Sequence, residues 1–164
     1  MFNLLFVCTH NRCRSVLCEA RARHSDGTPD DAYSAGSEPS GEIYPDTLKN
    51  LKRRGIGTSD LRSESWDVYE TLSPDAVITV CDRAAGEQRP LWLGRSVRTH
   101  WGLPDPSPIL SDEEGCTATF DAATDTVERR LIRRLRHDLG RLSADAPRTV
   151  LQRIADEEPY RGRF

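Results

Sequence analysis

The ten residues Phe6-Val7-Cys8-Thr9-His10-Asn11-Arg12-Cys13-Arg14-Ser15 constrain this chain more than any other stretch. They follow the apolar run Phe2-Asn3-Leu4-Leu5-Phe6-Val7, which reads as a buried strand, and lead into residues 16–25, which read as a helix. A cysteine therefore sits where a strand ends, and an arginine where the next helix begins. A loop of this kind turns successive backbone N–H groups inward, where with the helix dipole they form a cradle for an anion. Arg14 adds a planar guanidinium able to grip two oxygens of a tetrahedral oxyanion. Cys8, held in the same positive field, is expected to act as a thiolate nucleophile beneath the bound anion. The spacing of Cys8 to Arg14 recurs by accident in many chains, and a cysteine on an apolar strand is usually inert core. The strand before, Ser15 after and the helix beyond are what point to chemistry here.

A chain of 164 residues is sized for one domain with a real core. Its 23 basic and 26 acidic residues nearly cancel, leaving a net charge of −3 that gives no reason to invoke nucleic acid or a membrane surface as partner. No apolar run approaches the length of a transmembrane helix, and the first strand is entered without a basic leader or a cleavage site, so a cytoplasmic protein is expected. The five cysteines, Cys8, Cys13, Cys18, Cys81 and Cys116, are an odd count without a secretory signal, which argues against a disulfide framework. They form no Cys-x-x-Cys pair and have no clustered histidines beside them, so a zinc site is poorly supported.

The remaining elements follow from turn chemistry and periodicity. Residues 25–30 read as a turn, 31–35 as a second strand closed by Gly36, and 37–41 as loop. Pro45 suits the first turn of a helix through Arg54, with Tyr44, Leu48 and Leu51 on one packing face. A weaker helical stretch covers Trp66 to Leu72, and Ala76 to Val80 is a clear interior strand ending at Cys81. Asp82 to Gly94 reads as a mobile loop, Val97 to Trp101 as a fourth strand, and Gly102 to Pro108 as a proline-stiffened loop carrying the carboxylate of Asp105. From Thr119 to Ser143 the spacing of Val127, Leu131, Leu135, Leu139 and Leu142 predicts one amphipathic helix, with Arg129, Arg130, Arg133, Arg134 and Arg136 on a solvated basic side. Residues 1–143 are taken as the catalytic domain, and 144–164 as a polar, partly helical or frayed extension of it. Strands alternating with helices imply right-handed crossovers and an α/β fold, a parallel sheet covered on both faces. Ligands of such sheets bind beyond the carboxyl ends of the strands, which brings Cys8, Cys81 and Asp105 to one rim.

Several separate motifs together resemble the low-molecular-weight protein tyrosine phosphatase superfamily, and within it the arsenate reductase branch. They are Cys-Thr-x-Asn-x-Cys-Arg-Ser at 8–15, Glu19, Ser34-Ala35-Gly36, Thr58-Ser59-Asp60, the strand ending at Cys81, and His100-Trp101-Gly102-x-x-Asp105-Pro106, spread over roughly residues 2–140. The resemblance implies a four-stranded parallel sheet with helices on both faces and flavodoxin-like winding. It implies that Cys8 attacks arsenate, that Thr9, His10, Asn11, Arg12, Cys13 and Arg14 form the oxyanion loop, and that Ser15 hydrogen-bonds the thiolate. Asp105 would protonate the departing oxygen, and Cys81 would attack Cys8 to release arsenite and leave a disulfide. Asn11, Glu19, Ser34 and Asp60 match positions that bind potassium in some relatives, although structural roles suit them equally. The first chemical step needs no cofactor, and an external thiol is the implied reductant.

The departures carry information too. Thioredoxin-coupled relatives have a further cysteine seven residues beyond the one matching Cys81, where this chain has Gln88 and Arg89. Thioredoxin, a glutaredoxin-type protein and a low-molecular-weight thiol therefore stay open as reductants. Cys116 could replace the missing thiol only if its loop folds over the site, and Cys13 and Cys18 read as packing residues, Cys13 with some capacity as an off-pathway trap. His10 stands where the family usually has glycine, so strain is expected if that position needs positive φ. Arg12 adds charge at the mouth. The competing activity is hydrolysis of phosphomonoesters through a Cys8 phosphoenzyme, which needs no second thiol. Against it, Ser107 occupies the place of the aromatic residue that follows Asp-Pro in tyrosine phosphatases. A non-catalytic oxyanion-binding protein is the third reading, disfavoured because nucleophile, arginine and acid are all present.

Overall fold

The computed structural model of the chain describes residues 2–25, 31–106 and 113–162. Its centre is β1 (Leu4–Val7), whose four residues are all buried because apolar side chains on both faces of the strand meet covering elements. The second strand β2 (Ala32–Ala35) pairs on one side of β1 and the third, β3 (Ala76–Thr79), on the other, with β4 (Val97–His100) beyond β3. All three pairings are parallel, so the order β2-β1-β3-β4 reverses its winding at β1, and the carboxyl ends of β1 and β3 are where a sheet of this kind takes its ligand. This is the sheet that the alternation of strands and helices predicts.

The helices are α1 (Arg14–His24), α2 (Pro45–Arg53), α3 (Asp82–Gly86), α4 (Glu113–Arg134) and α5 (Ala146–Glu157). As expected, α2 starts on Pro45, whose missing N–H would have no partner there anyway. Its end is fixed by Gly55 at φ 74°, where the Gly55 and Ile56 N–H groups turn back to the carbonyls of Lys52 and Leu51. Ile56 and Leu51 then pack with Cys13, Leu17, Ala20, Phe120 and Ala123 in a second apolar cluster beside the main core. Among the described residues, no helix is long and apolar enough to cross a membrane.

Four sequence expectations change. Residues 82–94 are not a mobile loop: Cys81 caps α3 by accepting the Ala84 N–H at 3.4 Å, and Leu91–Arg95 form a 3-10 turn that buries Leu93. The stretch from Trp66 is a single 3-10 turn ending at Tyr69. Helix α4 begins six residues before Thr119 and stops at Arg134, where the chain turns through Arg136 and His137. Hence Val127, Leu131 and Leu139 are buried as predicted, whereas Leu135 and Leu142 are left partly exposed. The expected basic side of α4 is largely not solvated. Arg129 and Arg133 pair with Glu158, and Arg130, only 4% exposed, donates to the carbonyls of Trp101 and Glu158.

Residues 146–157 are a helix that completes the core. Leu151 and Ile154 are buried in the main cluster, and the Leu151 carbonyl accepts the indole N–H of the fully buried Trp101 at 2.9 Å. Leu151→Ala should therefore lower stability by about 2–5 kcal/mol, the usual range for emptying such a site. Denaturant unfolding of the two proteins measures it; an unchanged midpoint would show that α5 does not hold the fold.

Candidate active site

The loop from Cys8 to Cys13 is shaped from outside. Its carbonyls are pinned by the segment after β2: Thr9 O accepts the Glu38 N–H at 2.9 Å, His10 O accepts Ser40 N–H at 3.0 Å, and Arg12 O accepts Tyr44 N–H at 3.0 Å. Across a trans peptide the C=O and the following N–H point in opposite directions. Outward carbonyls on Thr9, His10 and Arg12 therefore aim the N–H groups of His10, Asn11 and Cys13 to the concave side. Gly36 makes this approach possible, since a Cβ there would lie 2.4 Å from Thr9 O and 2.7 Å from Cys8 O.

The sharp bend falls on Asn11, at φ 46°, and not on His10, which is absent from the positive-φ residues. Asparagine tolerates that region better than most side chains, so the strain expected at His10 is not needed. His10 Nδ1 instead lies 3.1 Å from the Glu38 carbonyl, and Arg12 lies over the ring of Tyr44 at 5.7 Å.

Asn11 also organises the interior. Its Nδ2 is 2.9 Å from both Ser15 Oγ and Ser34 Oγ, and its Oδ1 accepts the Glu64 N–H at 2.7 Å. Ser15 Oγ, receiving a proton from Asn11, has its own free to donate to Cys8 Sγ at 3.0 Å. Ser34 in turn donates to Glu19 Oε2 at 2.6 Å. The chain of donors thus has one polarity, set by an amide that can only give two protons on that side.

Cys8, Thr9, Asn11 and Ser15 are all buried, while Arg14 keeps 19% of its side chain exposed at the mouth. Arg14 Nη1 donates to the Leu103 carbonyl at 3.1 Å, and Nη2 lies 3.7 Å from Asp105 Oδ2. The loop carrying Asp105 is held in turn by Trp101 N–H on Thr79 O, Leu103 N–H on Val80 O, and the guanidinium of Arg130 on Trp101 O. The sequence motif around Trp101 is therefore an anchor that sets Asp105 opposite the oxyanion loop. Ser107 and Pro108 lie outside the described residues, as do 26–30 of the predicted turn.

Cys81 joins the same site from the end of β3. Its Sγ lies 3.8 Å from Thr9 Oγ1, and both residues are buried. The other thiols differ. Burial pushes the Cys13 thiol far up and the Cys18 thiol up to about 12, which makes both poor nucleophiles. Cys116 sits not on a loop but inside α4, where its Sγ bonds Asp46 of α2.

Of the four residues matched to a potassium site, three are linked by hydrogen bonds. Asn11, Glu19 and Ser34 converge, but the Glu19 oxygens are taken by Ser34 and by Arg23 at 3.0 Å, Asn11 Oδ1 by a backbone N–H, and Asp60 stands exposed in a turn. Burial pushes the Glu19 carboxyl up, while Ser34 and Arg23 pull it back. Among the described residues, no cluster of three or more His, Cys, Asp or Glu could hold a metal. Arg23 is a residue the sequence reading missed, and its place four positions after Glu19 on one helix was the available signal. Glu87 was missed as well: its carboxylate accepts from Thr9 Oγ1 at 2.7 Å.

Comparison with known proteins gives a consistent result. A family model described as low molecular weight phosphotyrosine protein phosphatase matches residues 3–144. An arsenate reductase of Bacillus subtilis (strain 168) is 34% identical over 128 residues, which is 78% of this chain and 91% of the relative. Among solved structures, an arsenate reductase from Archaeoglobus fulgidus superposes with a TM-score of 0.65 at 23% identity, covering 82% of this chain and 99% of the other. The YwlE arginine phosphatase from Geobacillus stearothermophilus superposes with a TM-score of 0.66 at 20% identity, covering 88% and 99%.

Proposed function

This chain belongs to the low molecular weight phosphotyrosine protein phosphatase family, and from that premise we propose that it reduces arsenate to arsenite by thiol chemistry. The observation that carries the reading is the second buried thiol: Cys81 lies 3.8 Å from the hydroxyl of Thr9, the loop residue next to Cys8. Hydrolysis of a phosphoester would have no use for it.

In the first step the Cys8 sulfur attacks arsenic, with the arsenate oxygens held by the inward amides of the loop and by Arg14. Ser15 donates to the sulfur, and Asp105 gives a proton to the oxygen that departs as water. As in phosphoryl transfer, positioning and charge stabilisation do most of the work. In the second step Cys81 attacks the Cys8 sulfur. An S–S bond forms, the S–As bond breaks, and its electron pair stays on arsenic, which passes from the pentavalent to the trivalent state. Two electrons from an external thiol then reopen the disulfide. No step is routed through potassium, since Arg23 already supplies the positive charge beside Glu19. A cytoplasmic setting, where thiols stay reduced, suits such a pair.

The reductant is chosen by access. With Cys8 and Cys81 both 4% exposed, and Gln88 and Arg89 where a shuttling cysteine would be, a low-molecular-weight thiol, alone or followed by a glutaredoxin-type protein, fits better than thioredoxin. The test is arsenite production by the purified protein with each reductant in turn, beside release of phosphate from an aryl phosphate. Arsenite formation that saturates with arsenate supports the reading; phosphate release alone would replace it by the phosphatase. Asp105→Asn should slow the single-turnover rate of either reaction by about 100-fold. An unchanged rate in rapid-quench measurements would remove Asp105 from the chemistry.

A further inference from the structure

We propose that Glu87 is a positioning residue for the second step, receiving through the Thr9 hydroxyl the proton that Cys81 gives up as it attacks. This rests on the reading of Cys81 as the resolving thiol. Residues 81 and 87 bracket α3, and its short length folds both towards Thr9: Cys81 Sγ lies 3.8 Å from Thr9 Oγ1, and Glu87 Oε1 lies 2.7 Å from the same atom. A carboxylate only accepts, so the single proton of the Thr9 hydroxyl is committed to Glu87. What Thr9 turns to Cys81 is therefore a lone pair, and the thiol is the donor between them. The order Cys81 S–H, Thr9 O–H, Glu87 carboxylate has one direction, from sulfur to carboxylate.

Burial gives that direction a purpose. Thr9 is 3% exposed and Cys81 4%, so water is a poor acceptor for the thiol proton, whereas the Glu87 side chain at 19% exposure reaches towards the surface. In the step itself the Cys81 proton moves to Thr9 Oγ1 while the Thr9 proton moves to Glu87. The Cys81 sulfur bonds Cys8, and the electron pair of the S–As bond stays on arsenic. The Ala84 N–H, 3.4 Å from Cys81 Sγ, steadies the charge growing on the sulfur. The charged groups nearby are accounted for. Arg83 faces Glu87 at 4.0 Å and Glu38 at 3.3 Å, Asp82 is paired with His100 at 3.0 Å, and Asp105 lies by Arg14 across the mouth.

The test is the rate of Cys8–Cys81 disulfide formation in a single turnover with arsenate, read by acid quench and mass analysis of the full chain at pH 6.5 and pH 9. Glu87→Gln should be slower than wild type by about tenfold or more at pH 6.5, and should come within about twofold at pH 9, where hydroxide is a strong enough acceptor to take the proton without the relay. Thr9→Val should repeat the pattern, Thr9→Ser should restore it, and the double variant should be no slower than either single one, because both changes cut the same path. Equal rates at pH 6.5, or a slowing that is the same at both pH values, would overturn the proposal and leave Glu87 a structural residue at most. A wild-type protein that forms no such disulfide would overturn the arsenate reading and this inference with it.

Discussion

Replacing Cys81 with serine is expected to bring sustained arsenate reduction down to background, a loss of at least about 1,000-fold, while hydrolysis of an aryl phosphate stays within about threefold of wild type. The asymmetry comes from what each reaction asks of the site. Hydrolysis uses Cys8, the loop amides, Arg14 and Asp105, none of which touches residue 81 through an essential bond. Reduction also needs a second sulfur, because the two electrons that arsenic gains come from oxidation of two thiols to a disulfide, and an alcohol cannot replace one of them. Serine keeps the size of the side chain and can still meet Thr9 and the Ala84 N–H, so the loop should hold its shape. Parallel assays of arsenite and of aryl phosphate decide the point. Arsenate reduction at the wild-type rate with the same reductant would mean that an external thiol, and not Cys81, resolves the Cys8 adduct.

Cys8→Ser has the larger reach. Both activities should fall by about 10⁴-fold or more, since no other group in the loop can form the covalent intermediate. The variant should still bind phosphate or arsenate, because Arg14 and the inward N–H groups are untouched, and Ser15 Oγ at 3.0 Å offers the new hydroxyl a hydrogen-bond partner in the buried site. Calorimetric titration with phosphate separates loss of chemistry from loss of the site. Residual turnover of either substrate above background would show that the nucleophile is elsewhere.

The parts of the molecule legible in the sequence are those fixed by local rules. The strand from Leu4 is uniformly apolar, Cys8 to Ser15 has a strand before and a helix after, and Pro45 and Gly55 bracket α2 with the chemistry each helix end requires. Less legible were the parts whose stability depends on a distant partner. The polarity of residues 144–164 left a partly helical and a frayed extension equally open; in the fold Glu157 and Glu158 meet Arg129 and Arg133 of α4, while Leu151 faces the core. Leu135, Leu139 and Leu142 kept the helical period past Arg134, yet period alone does not place a turn, and the chain breaks there.

The site shows the same division. Cys8, Arg14, Ser15, Cys81 and Asp105 were singled out from sequence as candidates; the structure sets Ser15 on Cys8, Cys81 on the adjacent Thr9 and Asp105 beside Arg14. What sequence could not show was which hydrogen bond each group would make. Sequence left open whether His10, where the family usually has glycine, needs positive φ; the pinned carbonyls put the bend at Asn11 instead. Glu87 was hidden because a charged residue in a Gly- and Pro-containing stretch looks like a loop, and only the capping of α3 by Cys81 turns it inward. Arg23 likewise gains its meaning from the burial of Glu19, which no local pattern announces.

The most direct measurement is a single turnover of the reduced protein with arsenate and no added reductant, followed by alkylation under denaturing conditions and mass mapping of all five cysteines. One arsenite released per chain and one disulfide linking Cys8 to Cys81 are expected, with Cys13, Cys18 and Cys116 alkylated. A disulfide joining any other pair, or arsenite released while Cys81 remains a free thiol, would contradict that expectation.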